Sequence, residues 1–82
     1  MNKKKLLQQM LNSKKNVKFK NFALLAEAFG FEHVRTEGSH HIYKHSQISK
    51  LLNIQSVKGE AKPYQIREFF VMIEKNNLEM ED

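Results

Sequence analysis

Residues Gly38 to His45, "GSHHIYKH", hold three of the four histidines in this chain. An imidazole titrates near pH 6.5, so both of its forms are populated close to neutrality. That makes histidine suited to moving a proton beside a bound phosphate, the more so next to a Gly-Ser pair that lets the backbone turn tightly. The same residues also fit an ordinary half-exposed strand. Strand alternation puts His41 and His45 on one face and His40 on the other with Ile42, so the three cannot act at one point. His41 and His45 are four strand steps apart, about 13 Å at 3.3 Å per residue, which is too far for one zinc with bonds near 2.0–2.1 Å. No metal site is expected.

Positioning such a strand is the work of a small chain. Eighty-two residues form one domain, which buries about 60% of its unfolded surface. Cysteine is absent, which removes disulfides and thiolate zinc sites and fits a reducing cytoplasm. The N-terminus lacks the apolar run of a secretory signal, and no stretch approaches the roughly 18 apolar residues of a membrane span. A soluble, cytoplasmic protein is expected. The net charge of +5 is uneven: residues 1–22 carry seven lysines and no acid, and the rest carries seven bases and nine acids. A basic segment on a near-neutral body suits an anionic partner such as nucleic acid, or serves as a solubilising tail.

Leu6, Leu7, Met10 and Leu11 form one helical face within Lys3 to Leu11, with Asn12 and Ser13 as a stop. A second helix is predicted over Lys20 to Phe29, with Phe22, Leu25, Ala26 and Phe29 as its stripe, Asn21 as cap and Gly30 at its end. The text from Phe31 to Glu37 loses the helical stripe. Gly38 and Ser39 then make a tight turn into "HHIYKH", so a hairpin is predicted. "SQISK" reads as a turn, "LLNIQSV" as a third strand and "KGEAK" as a polar connection. Pro63 opens a last helix whose stripe is Ile66, Phe69, Phe70 and Ile73.

The expected class is therefore α+β. Three consecutive strands joined by short turns should form an antiparallel sheet, with the helices burying one of its faces and the other left open. This α-β-β-β-α sandwich, with an extra N-terminal helix, resembles the double-stranded RNA-binding fold. Residues 1–18 would be a basic helical extension, 19–76 the core and 77–82 a frayed acidic tail. Phe19, Phe22, Phe29, Phe69 and Phe70 are assigned to the core. Tyr43 and Tyr64 remain open between packing and base stacking.

The pieces "LLAEAFGFEHVRTEGSHHIYKH", "LLNIQSVKGEAK" and "PYQIREFFVMIEK" together resemble the HicA family, small ribonuclease toxins of type II toxin–antitoxin systems. About fifty residues, Leu24 to Ile73, carry the likeness, with the elements in order. The resemblance implies cleavage of mRNA without a metal cofactor, and a HicB-like antitoxin that covers the active site. It also implies that the histidine directly after Gly-Ser, His40, is catalytic. Two departures stand out. The family often has Pro-His-Pro after the third strand, where this chain has Gln55, Ser56 and Val57. The first eighteen or so residues extend beyond the compact family pattern.

Metal-free RNA cleavage uses the neighbouring 2′-hydroxyl as nucleophile. A group must take its proton, and cations must stabilise charge at phosphorus. His40 is assigned the proton, Gly38 the close approach of the phosphate, and Ser39 a hydrogen bond to it. Lys44, Lys58 and Lys62 are the candidates for charge stabilisation. The alternatives are a non-catalytic RNA- or DNA-binding module of the same fold, and a protein-interaction domain whose basic segment binds acidic partners.

Overall fold

The computed structural model describes residues 2–80. The first helix, α1 (Lys3–Asn12), is opened by Asn2, whose side chain accepts hydrogen bonds from the Lys4 and Lys5 amides. It ends at the extended Ser13, where the sequence placed a stop. Leu6 and Met10, one turn apart, are each 1% exposed and fasten α1 to the second helix, α2 (Phe19–Ala28). The basic extension is thus packed onto the body along its apolar stripe, and Lys3, Lys4 and Lys5 stay exposed.

The expected α2 is displaced by one residue. Asn21 is not its cap; its amide already bonds the Lys18 carbonyl inside the first turn. The start is fixed from far along the chain, because the Phe19 amide donates to the Gly59 carbonyl and Lys18 bridges to Glu60. The end is local. Gly30 adopts φ 93°, and the Phe31 and Gly30 amides return to the Ala26 and Glu27 carbonyls, the paired bonds of a Schellman cap.

The strands are β1 (Glu32–Glu37), β2 (His40–His45), β3 (Ile48–Val57) and β4 (Glu60–Ala61), ordered β1-β2-β3-β4 and antiparallel throughout. The sheet therefore has one strand more than the three expected. "KGEAK" folds back on itself: Lys58 and Gly59 both take positive φ, 52° and 81°, the backbone of a I′ hairpin turn. β3 also begins earlier than expected, since the turn occupies only Ser46 and Gln47.

The last helix, α3 (Pro63–Lys75), starts on Pro63 as predicted and buries Ile66, Phe69 and Ile73. It closes like α2: Asn77 takes φ 52°, and the Leu78 amide returns to the Ile73 carbonyl. Beyond that cap Leu78 and Met80 pack against the core. Glu81 and Asp82, the end of the acidic tail, lie outside the described residues.

All three helices serve one side of the sheet. Phe22, Leu25, Ile54, Ile66 and Phe69, each 0% exposed, bring α2, α3 and β3 into one core. Phe69 is its centre, with Phe22, Phe29, Phe31 and Phe70 at ring distances of 5.4 to 5.7 Å. The opposite side of the sheet carries no helix, and it is where His40 lies.

Candidate functional site

The site begins with a turn. Gly38 takes φ 62° and Ser39 stays in the ordinary region, the II′ pattern that returns a strand on itself with the native twist. A methyl group at Gly38 would meet nothing within 4 Å, so the glycine serves the backbone angle and not a lack of space. The turn pairs Glu37 with His40 across β1 and β2, and β3 brings Gln55 opposite His40 on the other side. Residues paired across strands share a face, so Glu37, His40 and Gln55 form one row. Arg35, Ile42 and Asn53 form the next.

Hydrogen bonds hold this face together. The Gln55 amide group donates to Ser39 Oγ at 3.2 Å, and the Ser56 amide donates to the Ser39 carbonyl at 3.0 Å, so both ends of Ser39 are fixed. The His40 ring places Nδ1 3.1 Å from Asn53 Oδ1. A carbonyl oxygen only accepts, so Nδ1 carries the proton and the neutral ring keeps its lone pair on Nε2. Half-buried His40 is thus oriented to take a proton at Nε2. Arg35 and Glu37 form an exposed ion pair beside it.

The lysines divide. Ser39 of the turn, Ser56 of β3 and Ala61 of β4 stand side by side, so Lys58 and Lys62, next to this row, lie at the Gly38–Ser39 end of the sheet. Lys62 Nζ sits 5.8 Å from the centre of the Tyr64 ring. Lys44 shares the face of His40 but lies four strand positions on, about 13 Å away. It is not brought to the site. Asn53 and the Arg35–Glu37 pair were missed in the sequence, and Gln55 was noted there only as a departure from the family pattern, although "NIQ" does place two amide side chains on one strand face.

His41 and His45 lie on the face opposite His40, as alternation assigned them. His45 is 8% exposed, with Nε2 3.0 Å from the Phe29 carbonyl and Nδ1 accepting from the Gln47 amide at 3.1 Å. Both nitrogens serve the backbone, in a single tautomer, and the ring stacks edge-on against Phe31. His41 lies against Phe19 at 4.4 Å, with Nδ1 3.3 Å from Thr36 Oγ1. Thr36 Oγ1 also reaches His33 Nε2 at 2.8 Å, leaving the two imidazoles 6.0 Å apart. Among the described residues, no three His, Asp or Glu side chains converge to hold a metal ion. Tyr43, on the same inward face, is buried; burial first, and then the Glu27 carboxylate, push its phenol above 10.0.

A groove of about 780 Å³ runs between β3 and α3, lined by Leu51, Asn53, Tyr64 and Val71 among others. No helix of the described residues is long and apolar enough to cross a membrane. A family model described as the HicA toxin of bacterial toxin–antitoxin matches residues 19–75, from the start of α2 to the end of α3. Comparison with curated proteins and with solved structures gave no match.

Proposed function

Since the chain belongs to the HicA toxin family of bacterial toxin–antitoxin systems, we propose that it is a metal-independent endoribonuclease that cleaves mRNA in the cytoplasm, with His40 as its proton-transfer residue. The observation that carries this reading is the His40–Asn53 hydrogen bond on the helix-free face, directly after the Gly38–Ser39 turn. RNA laid on that face brings a phosphate to Ser39 and a 2′-hydroxyl to Nε2. His40 takes the hydroxyl proton as the 2′-oxygen bonds to phosphorus, and the bond to the 5′-oxygen breaks. The imidazolium can return the proton to that leaving oxygen. Lys58 and Lys62, at the same end of the sheet, offset charge on the phosphate. The antitoxin of this pair, HicB-like in this reading, silences the toxin by covering the same face.

A specific observation favours a second placement of the chemistry. His33 and His41, joined through Thr36, offer two imidazoles where His40 offers one. One experiment separates the two placements and tests the function itself. A defined mRNA fragment is incubated with the wild type, His40→Ala and His41→Ala, each first shown to unfold cooperatively. Loss of cleavage in His40→Ala with activity kept in His41→Ala supports the first placement. The reverse result moves the chemistry to the helix side of the sheet, and wild-type protein that binds RNA without cutting it leaves a binding module.

A further inference from the structure

The outer edge of β3 is half unpaired. The Ser56 amide donates to the carbonyl of Ser39, in the turn before β2, and antiparallel pairing alternates, so Ile54 and Leu52 also turn their amides toward β2. Gln55 and Asn53 turn theirs outward, and Leu51, at the register shift, has no partner residue on β2. On that side β4 pairs with Ser56 and Val57 alone. The Gln55 amide is met by Gln65 Oε1 at 2.7 Å, and Gln65 is a buried side chain standing where a neighbouring strand would end. Asn53 and Leu51 line the groove beside α3, and no strand pairs with them on that side among the described residues. Leu51 and Tyr64 at 46% exposure and Val71 at 63% flank this edge with apolar surface. Lys50, Arg67 and Lys75 line the groove against a single carboxylate, Glu68.

We propose that this edge receives an extended, acidic segment of the partner antitoxin, which adds to the sheet as a strand beside β3. Main-chain bonds to Leu51 and Asn53 would supply the pairing, and apolar side chains at alternate positions would cover Tyr64 and Val71. Carboxylates at the remaining positions meet Lys50, Arg67 and Lys75. A second copy of this chain is the poorer occupant, because it would lay one basic groove against another. The added strand runs beside Asn53, whose side chain holds His40, so docking here places the partner at the rim of the proposed active face. The inference rests on the toxin reading for its partner and on the unpaired edge for its geometry.

The test uses the full chain labelled for amide hydrogen exchange, so it is independent of RNA cleavage. The probes are a capped heptapeptide alternating Glu with Val, the same peptide with Lys for Glu, and a single-stranded RNA oligonucleotide. The Glu peptide should slow exchange of the Leu51 and Asn53 amides at least tenfold, in a saturable way, and the Lys peptide should not. Val71→Glu, at an exposed position that the fold does not need, should weaken the Glu peptide at least tenfold while its melting temperature stays near wild type. His40→Ala should bind the peptide as the wild type does, so a failed cleavage mechanism and a failed docking edge are told apart. No saturable protection, equal protection by both peptides, or protection of these amides by RNA would each overturn the proposal.

Discussion

The two faces of one short strand treat the same side chain in opposite ways. His40 and His41 are neighbours in sequence, yet His40 has a single side-chain partner on a helix-free surface, and His41 lies under Phe19 in a shared hydrogen-bond group. Four residues on, His45 has both nitrogens committed to backbone groups. A histidine whose two nitrogens are both satisfied holds structure. One with a single fixed nitrogen keeps the other for chemistry, provided its fixed partner is an acceptor. Residue type therefore says little about function here, and parity along the strand says much.

The largest expected effect tests this contrast directly. His40→Ala should lower the rate of RNA cleavage by about 10²–10⁴-fold, the usual contribution of a positioned acid or base. The fold should survive, since the ring is half-exposed. Equal cleavage by the folded variant would remove the distinction between the faces. Asn53→Ala should come next, at no more than about 10²-fold, because it frees the ring without removing it. As Asn53 is a positioning residue, the loss should fall on kcat more than KM, and Asn53→Asp, which keeps an acceptor oxygen, should recover part of it.

On the opposite face the same substitution should affect stability and not rate. His45→Ala leaves the Phe29 carbonyl and the Gln47 amide without their partner, which should cost about 1–3 kcal/mol. The measurement is the urea midpoint at constant slope, alongside cleavage per folded molecule, which should not change. A rate loss in His45→Ala would join the two faces functionally. A smaller effect concerns the lysines. Substituting Lys58 or Lys62 by Ala should lower the salt dependence of RNA binding by about 0.7 per lost phosphate contact in a single strand. Lys44→Ala, remote from His40, should leave that slope unchanged.

Much of this layout was readable in the sequence, and what was missed has a common cause. Gly30, Pro63 and the Gly38–Ser39 turn act locally, and each emerged where the text put it; the helix stripes did so in the main, with Leu11 of the first one left 50% exposed. The start of α2 did not, because it is set by Gly59, forty residues away in sequence. β4 was missed because Lys58 occupies a left-handed turn position usually signalled by Asn or Asp. The face of His40 followed from alternation alone. Its partner did not, since that requires the register of a hairpin whose turn was read as five residues, Ser46 to Lys50, where it occupies two. Counting back from the true turn, with His45 opposite Ile48, would set His40 against Asn53. The irregularity between Tyr43 and His45 slides the pairing so that Gln55 stands opposite. The slide is by an even number of residues, so Asn53 stays on the same face and still reaches the ring diagonally.

The smallest predicted effect belongs to the inward face and appears only in alkali. Burial, with a lesser contribution from Glu27, raises the Tyr43 phenol above 10.0. The folded protein therefore holds this proton more tightly than the unfolded chain does. The stability linked to it is present in full below about pH 10 and is lost as pH rises through the folded value. Between neutrality and pH 9 the wild type and Tyr43→Phe should show parallel stability. Above pH 10 the wild type should lose stability faster, because Phe at this position has no proton to release. Urea midpoints for both proteins from pH 7 to pH 11 provide the check. Parallel curves throughout would mean that the phenol ionises as easily folded as unfolded, and that the inward face of β2 is less dry than its packing suggests.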